Sequence, residues 1–132
     1  MARPNPEDRG YSREHEWAKE GGDGTVTVGI TDFAQEMLTD IVFVELPVPG
    51  RKVKREEPFA VVESVKSVSD IFAPVSGEVI AVNGDLEEKP ELINQDAFNA
   101  GWIAVIRMDD PGEMALLMTA GEYQAFIEAE NA

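Results

Sequence analysis

Cysteine is absent from the sequence, which excludes a disulfide scaffold, a thiolate nucleophile and a thiolate metal site. A single histidine, His15, leaves no histidine cluster that could hold a metal ion. The G-x-G-x-x-G, P-loop and G-x-S-x-G patterns are missing too, so nothing indicates an enzyme in its own right. No run approaches the roughly eighteen apolar residues of a membrane span, and residues 1–9 contain no apolar signal region. We therefore expect neither membrane insertion nor secretion.

Acidic residues greatly outnumber basic residues in the sequence. The 132 residues include 26 acidic and 11 basic side chains, a formal net charge of −15. Such a chain repels phosphates, so we expect no nucleic-acid partner and expect protein partners with basic surfaces. The length suits one domain, and 43% hydrophobic residues are enough for a packed core. A bacterial cytoplasm is the expected compartment, in preference to a mitochondrial matrix.

Short β-prone segments separated by glycine and proline predict a mainly β domain, a small sandwich or flattened barrel with appended helices. Asp32 is predicted to cap a short helix over 31–38, and two apolar stripes after residue 110 predict two C-terminal helices, with Gly121 between the stripes. The predicted divisions are a loose arm at 1–10, a β core at 24–108 and helices at 111–130. The predicted strands are 25–30, 41–46, 59–62, 68–72, 77–82 and 102–108.

A faint internal repeat supports a fold of two related halves. Pro47-Val48-Pro49-Gly50 recurs as Pro74-Val75-Ser76-Gly77, each time between two β-prone segments. Two related β halves packed face to face would produce this pattern, although proline and glycine mark most turns.

Lys66 is the most informative candidate for chemistry. It lies in the few small or polar residues between two β-prone segments, so we expect the chain to reverse around Val65 and Lys66. From spacing alone, an ordinary solvated turn lysine is the commoner interpretation; the functional one is a lysine displayed for acylation. His15 could serve as a general base, but a packing or surface histidine is favoured because no nucleophile accompanies it.

Around Lys66 the residues resemble the lipoylation site of the glycine cleavage system H protein family, and the resemblance continues in order from about Tyr11 to the C-terminus. Ser67 is a departure, since alanine is common there in the family. The matching blocks are Glu14-His15-Glu16-Trp17, Val28-Gly29-Ile30-Thr31-Asp32-Phe33-Ala34-Gln35, Asp40-Ile41-Val42-Phe43-Val44-Glu45-Leu46-Pro47, Glu63-Ser64-Val65-Lys66-Ser67, Ser69-Asp70, Pro74-Val75-Ser76-Gly77-Glu78-Val79, Pro90-Glu91-Leu92-Ile93-Asn94 and Gly101-Trp102.

The resemblance implies a lipoyl-type β-sandwich with lipoate amide-linked to Lys66, and a carrier rather than a catalyst. Glycine decarboxylase (P protein) would load an aminomethyl group, an aminomethyltransferase (T protein) would pass the one-carbon unit to tetrahydrofolate, and dihydrolipoyl dehydrogenase (L protein) would reoxidise the arm. A lipoate ligase or lipoyl transferase is the implied modifying enzyme. Glu63 and Asp70 are candidates for its recognition, or they keep the turn soluble. No metal is implied, and a monomer is expected.

A loaded arm ends in a cationic amine, which carboxylates would hold by charge-assisted hydrogen bonds. Glu16 is the first candidate for this contact, followed by Glu14 and Asp70. The main alternative is an H-like protein that relays lipoate to other acceptors or carries it for another pathway. Biotin carriers place methionine on both sides of the lysine, and lipoyl domains of 2-oxoacid dehydrogenases have an acidic residue before it; neither pattern is present. An unmodified acidic adaptor and an independent enzyme are the alternatives from other classes.

Overall fold

The computed structural model describes residues 4–130, which form two antiparallel β-sheets with short helices around them. The strands of this part of the chain are β1 (Gly10–Tyr11), β2 (Glu16–Glu20), β3 (Thr25–Ile30), β4 (Ile41–Glu45), β5 (Lys52–Val53), β6 (Pro58–Ser64), β7 (Val68–Phe72), β8 (Gly77–Val82) and β9 (Ala104–Met108). The six-stranded sheet has the order β1-β2-β3-β9-β8-β5, and the three-stranded sheet has the order β4-β6-β7.

Helices are short and lie mainly at the connections. They are α1 (Asp32–Leu38), α2 (Asp85–Glu88), α3 (Leu92–Gln95), α4 (Ala120–Glu130) and a 3-10 helix (Pro111–Leu116). None of the helices in the described part of the chain is long and apolar enough to cross a membrane.

Most predicted strands are confirmed, with shifted ends. β3, β7 and β8 match the predicted bounds, whereas β4 ends one residue early and β6 extends in both directions. β6 is longer because the polar Glu63 and Ser64 still pair with neighbouring strands. β9 begins at Ala104 rather than Trp102, because the Trp102 N–H is used in a turn, where it donates to the carbonyl of Asn99 at 3.1 Å.

Two details of the predicted helices are wrong. The cap of α1 is Thr31, whose extended backbone lets its hydroxyl accept the Ala34 N–H at 3.2 Å; Asp32 is the first helical residue. Of the two C-terminal helices, the first is a 3-10 turn that starts at Pro111, and Gly121 lies inside α4 rather than between helices. The second apolar stripe is confirmed, since Tyr123 and Ile127 are both buried.

The core lies between the sheets, and this mainly β sandwich confirms the predicted fold class. In β9, alternate side chains from Ala104 to Met108 are buried, as the period of two residues requires. A second apolar cluster packs α4 against the start of the six-stranded sheet, where the rings of Tyr11 and Tyr123 stack with centroids 4.9 Å apart. The first cluster includes Val28 and Ile106 of the larger sheet and Val44, Val62 and Ile71 of the smaller one.

Both copies of the internal repeat connect the same two sheets. The segment 47–50 leads from β4 to β5 and the segment 74–77 leads from β7 to β8, each crossing from the three-stranded to the six-stranded sheet. β5 and β8 then pair with each other, and the Gly50 N–H donates to the Val79 carbonyl at 2.7 Å. Gly50 has φ +95°, a conformation that glycine adopts without strain.

The N-terminal segment contacts the sheet within its described part. The Arg9 guanidinium lies 4.6 Å above the Trp17 ring and donates to the Phe98 carbonyl at 2.8 Å, and Gly10 pairs with β2. The division into a loose arm, a β core and helices stays a prediction, and residues 1–3 of that arm lie outside the described residues.

Candidate functional site

Lys66 lies at the tip of the hairpin that joins β6 and β7. Glu63 pairs with Val68, and the turn Ser64–Ser67 closes with a hydrogen bond from the Ser64 N–H to the Ser67 carbonyl at 2.8 Å. The chain reversal predicted around Val65 and Lys66 is confirmed. Within residues 4–130, no ion pair involves the Lys66 ammonium, and the side chain is exposed. The amine is therefore accessible to a modifying enzyme.

Ser64 fixes the backbone of this turn. Its side chain is buried, and its hydroxyl accepts the N–H groups of Lys66 at 3.3 Å and Ser67 at 3.1 Å. The same hydroxyl lies 3.3 Å from the Ser67 carbonyl, to which it donates. A second restraint comes from outside the hairpin, since the Val65 N–H donates to the Asp40 carbonyl at 3.0 Å. Neither restraint was predicted from the sequence. The only sequence signal for the first restraint is a serine two residues before the lysine.

The outer face of the three-stranded sheet is acidic and apolar beside Lys66. Glu63 lies there in one cross-strand row with Phe43 and Val68, and Asp70 lies in the next row with Glu45. Glu63 is half-buried and Asp70 is exposed. The structure therefore places both predicted recognition residues on one face, at the lysine end of the sheet.

Glu16, in contrast, lies inside the protein. Its side chain is only 1% exposed, its Oε1 accepts a hydrogen bond from the Ser12 hydroxyl, and its Oε2 accepts the Phe72 N–H at 3.2 Å. Burial raises the pKa of Glu16 to about 7, and its hydrogen bonds oppose that rise only in part. Phe72 ends the strand that begins two residues after Lys66, so Glu16 lies at the far end of β7 from the turn.

Glu14 is exposed and lines a small surface cavity of about 130 Å³. Tyr11, Arg55 and Pro74 also line it. The structure thus puts Glu14 and Glu16 near the end of β7 and Glu63 near its start, with Asp70 in between.

His15 belongs to an aromatic cluster. Its Nδ1 is 2.8 Å from the Tyr123 hydroxyl, and its ring centroid is 5.0 Å from that of Phe33. Burial lowers the pKa of His15, and the nearby Glu130 carboxylate opposes this shift. The favoured interpretation of a packing histidine agrees with these contacts. Within residues 4–130, no three acidic or histidine side chains are placed to hold a metal ion.

The two sheets, the crossing connections and a lysine at a hairpin tip define a lipoyl-domain-type β-sandwich. A family model described as "Glycine cleavage H-protein" matches residues 9–130. The chain belongs to the glycine cleavage system H protein family, a family of lipoyl carriers.

Individual relatives agree with this assignment. The glycine cleavage system H protein of Anaeromyxobacter sp. (strain K) is 53% identical over 126 residues, covering 96% of this chain and 98% of the relative. That of Thermus thermophilus is 54% identical over 125 residues, covering 95% and 97%. The crystal structure of the H protein from Mycobacterium marinum superposes with a TM-score of 0.86 at 41% identity, covering 94% of this chain and 99% of that one.

Proposed function

We propose that this chain carries lipoate in amide linkage on Lys66 and moves the aminomethyl group of glycine from glycine decarboxylase (P protein) to the aminomethyltransferase (T protein). Dihydrolipoyl dehydrogenase (L protein) then returns the arm to its oxidised form. Family membership supports the pathway, and one observation carries the choice of residue: Lys66 is an exposed amine on a turn whose backbone is held from two sides. We also propose that the protein is a monomer, and its bacterial relatives support the bacterial cytoplasm as its compartment.

The surroundings of Lys66 fit an acylated lysine. Acylation removes a positive charge, and Lys66 has no ion pair among residues 4–130 that this loss would break. When bound, lipoate supplies a dithiolane that accepts the one-carbon group and two electrons. The chain supplies a fixed base for the arm, because the Ser64 hydroxyl and the Asp40 carbonyl hold the turn.

Partner enzymes have an apolar and acidic surface to contact around Lys66. Val65 is 66% exposed and Val68 is 68% exposed, and Phe43 lies in the same cross-strand row as Val68. Exposed apolar side chains that are rimmed by polar residues mark interaction sites. We propose that Glu63 and Asp70 meet basic side chains of the lipoate ligase or lipoyl transferase.

The carboxylates along β7 are proposed contacts for a cationic amine at the end of the arm. Asp70 is four residues from Lys66, at most about 13 Å away at the rise of a strand. Glu16 bonds to Phe72, so it lies farther along, and its pKa of about 7 leaves it partly protonated at neutral pH. A cation reaching Glu16 would favour its ionised form. Asp70 and Glu14 are exposed, so a cation can approach them without entering the protein.

Loss of the carried aminomethyl group measures these contacts. We expect Asp70→Asn, Glu14→Gln and Glu16→Gln each to shorten its lifetime on the isolated protein, with Glu91→Gln as an exposed control. An unchanged lifetime for one variant removes that residue from the contact.

Intact mass spectrometry tests attachment. Protein from lipoate-competent cells should carry one lipoyl amide, which Lys66→Arg abolishes and Lys54→Arg, an exposed lysine elsewhere, retains. An unmodified wild-type chain, beside other fully lipoylated proteins of the same cells, would contradict the carrier function. Reconstitution with the three partner enzymes then tests the pathway: glycine-dependent turnover supports it, and lipoate transfer to other acceptors without turnover supports a relay.

A further inference from the structure

Thr39, the residue after α1, has a strained backbone. Its φ is +65° and its ψ is −150°, a combination that is essentially restricted to glycine. Threonine is branched at Cβ, which makes a positive φ a clear outlier. Strain of this kind persists only where the surrounding contacts impose it. Two hydrogen bonds hold Thr39 here: its N–H donates to the Gln35 carbonyl at 2.9 Å, and its carbonyl accepts from one side chain at 2.8 Å.

That side chain is Asn94, in α3. Its Nδ2 donates to the Thr39 carbonyl at 2.8 Å and to the Gln35 Oε1 at 2.8 Å. Its Oδ1 accepts the Ile41 N–H at 2.9 Å. An amide that both donates and accepts is required, because the backbone groups on the two sides of Asp40 have opposite polarity. Asn94 therefore holds residues 39 and 41 at once.

Between those two residues lies Asp40, whose carbonyl accepts the Val65 N–H at 3.0 Å. Val65 immediately precedes Lys66 in the turn. A continuous series of hydrogen bonds thus connects α3, through the strained link between α1 and β4, to the backbone of the lysine-bearing turn. The internal bonds of Ser64 fix the shape of the turn, whereas the Asp40 carbonyl fixes its position relative to the rest of the sandwich.

We propose that Asn94 is a positioning residue for Lys66. It stabilises the strained conformation of Thr39 and so directs the Asp40 carbonyl at the Val65 N–H. The resulting hydrogen bond determines the position in which the lysine turn is presented to the enzymes that act on it. The effect on those enzymes rests on the proposed function, whereas the effect on the turn does not.

The test is a double-mutant cycle on the unmodified chain, with hydrogen exchange of the Val65 amide as the readout. Asn94→Ala should speed this exchange about tenfold, the change that corresponds to roughly one lost hydrogen bond. Thr39→Gly removes the steric strain. The factor by which Asn94→Ala speeds exchange should therefore be about threefold smaller in the Thr39→Gly variant than in the wild-type chain. Equal fold-changes with and without Thr39→Gly would show that Asn94 does not act through Thr39.

Two controls separate positioning from a general loss of stability. The exposed Asn99→Ala should leave Val65 exchange unchanged, and Asn94→Ala should speed exchange of the core amide of Ile106 much less than exchange of the Val65 amide. A parallel rise at Val65 and Ile106 would overturn the proposal. Should Asn94→Ala not fold, Asn94→Asp keeps the acceptor for Ile41, loses the donors, and should give the same Val65 response.

Lipoate ligase kinetics on the unmodified protein complete the test. Asn94→Ala should raise the KM for the protein several-fold and leave kcat nearly unchanged, since the amine itself is intact. A fall in kcat with unchanged KM would contradict a positioning role. A wild-type chain that the ligase does not modify would instead count against the proposed function, and the exchange result would stand.

Discussion

The Phe72 N–H donates a hydrogen bond to the Oε2 of Glu16 across 3.2 Å, which joins the end of β7 to a carboxyl group that is almost fully buried. The Ser12 hydroxyl donates to the other carboxylate oxygen. Two donors do not replace the solvation that this carboxylate loses, and its pKa rises to about 7. The strand that leads away from Lys66 therefore ends against a group that titrates near neutrality.

Stability should fall between pH 4.5 and 7 because of Glu16. Below pH 4.5, the ordinary value, Glu16 is protonated in both folded and unfolded states. As the pH rises, the unfolded chain loses this proton first, while the folded chain keeps it until about pH 7. Over that interval the contribution of Glu16 to the free energy of unfolding falls by roughly 3 kcal/mol, and above it the contribution is constant.

Urea unfolding of the unmodified protein at several pH values checks this. Because other carboxylates also titrate, the quantity to compare is the difference between wild type and Glu16→Gln, which should shrink or reverse in favour of the variant as the pH rises. The exposed Glu14→Gln serves as the control. A pH-independent difference for Glu16→Gln would show that its folded pKa is ordinary.

Gly29 and Gly121 should respond to alanine in opposite directions. A Cβ at Gly29 would lie 2.6 Å from the Trp17 ring, which cannot move away because its Nε1 donates to the carbonyls of Ile30 and Ala97, both at 3.0 Å. Gly29→Ala should therefore destabilise by about 1–3 kcal/mol. Gly121 has open space and lies in α4, so Gly121→Ala should stabilise by about 0.5–1 kcal/mol.

Denaturant unfolding followed by tryptophan fluorescence measures both variants. If Gly29→Ala were as stable as wild type, the close approach of Trp17 to the β3 backbone would be wrong. A destabilised Gly121→Ala would contradict the open, helical environment of that glycine.

Local patterns in the sequence predicted the hairpin and its lysine well. The alternating threonine and valine residues of 25–30 match the bounds of β3, and the β-prone residues of 68–72 match those of β7, because both patterns are properties of consecutive residues. β2 was missed because Glu16–Glu20 has charged residues at three of its five positions. It is a strand because it pairs with β3, a contact that its local sequence pattern does not indicate. α2 and α3 have four residues each, too few to show a helical period.

Long-range contacts account for the rest of the site. Asn94 bonds to backbone and side-chain groups 53 to 59 residues away, and no spacing rule connects such positions. The burial of Glu16 depends in the same way on Phe72, 56 residues later. The sequence could name Glu16 as a candidate contact for the arm, but its burial and its hydrogen bond to the end of β7 depend on the three-dimensional fold.

Ser64→Ala should loosen the lysine turn without unfolding the sandwich. The N–H groups of Lys66 and Ser67 would lose their protein acceptor and bond to water instead, since the tip is exposed. We expect a loss of about 0.5–1.5 kcal/mol in the free energy of unfolding and a raised KM of lipoate ligase for the protein. Ser69→Ala is the matched control, because the Ser69 hydroxyl has only a long contact, 3.4 Å, to the Asp70 carbonyl. Equal KM values for the two variants would mean that the Ser64 hydroxyl does not shape the turn for recognition.

Added salt should slow the encounter of this protein with its partner enzymes. A net charge of −15 attracts basic surfaces over long range, which raises association rates without a large dry interface. Such an interface would be a disadvantage for a carrier that, under the proposed function, must leave each of three enzymes. At ~0.5 M salt the screening length falls below ~5 Å, so the KM of each partner for the lipoylated protein should rise while kcat changes little. Titration with a neutral osmolyte at matched osmolality separates screening from general solvent effects. A KM that is independent of salt would show that short-range contacts around Lys66, and not the overall charge, govern the encounter.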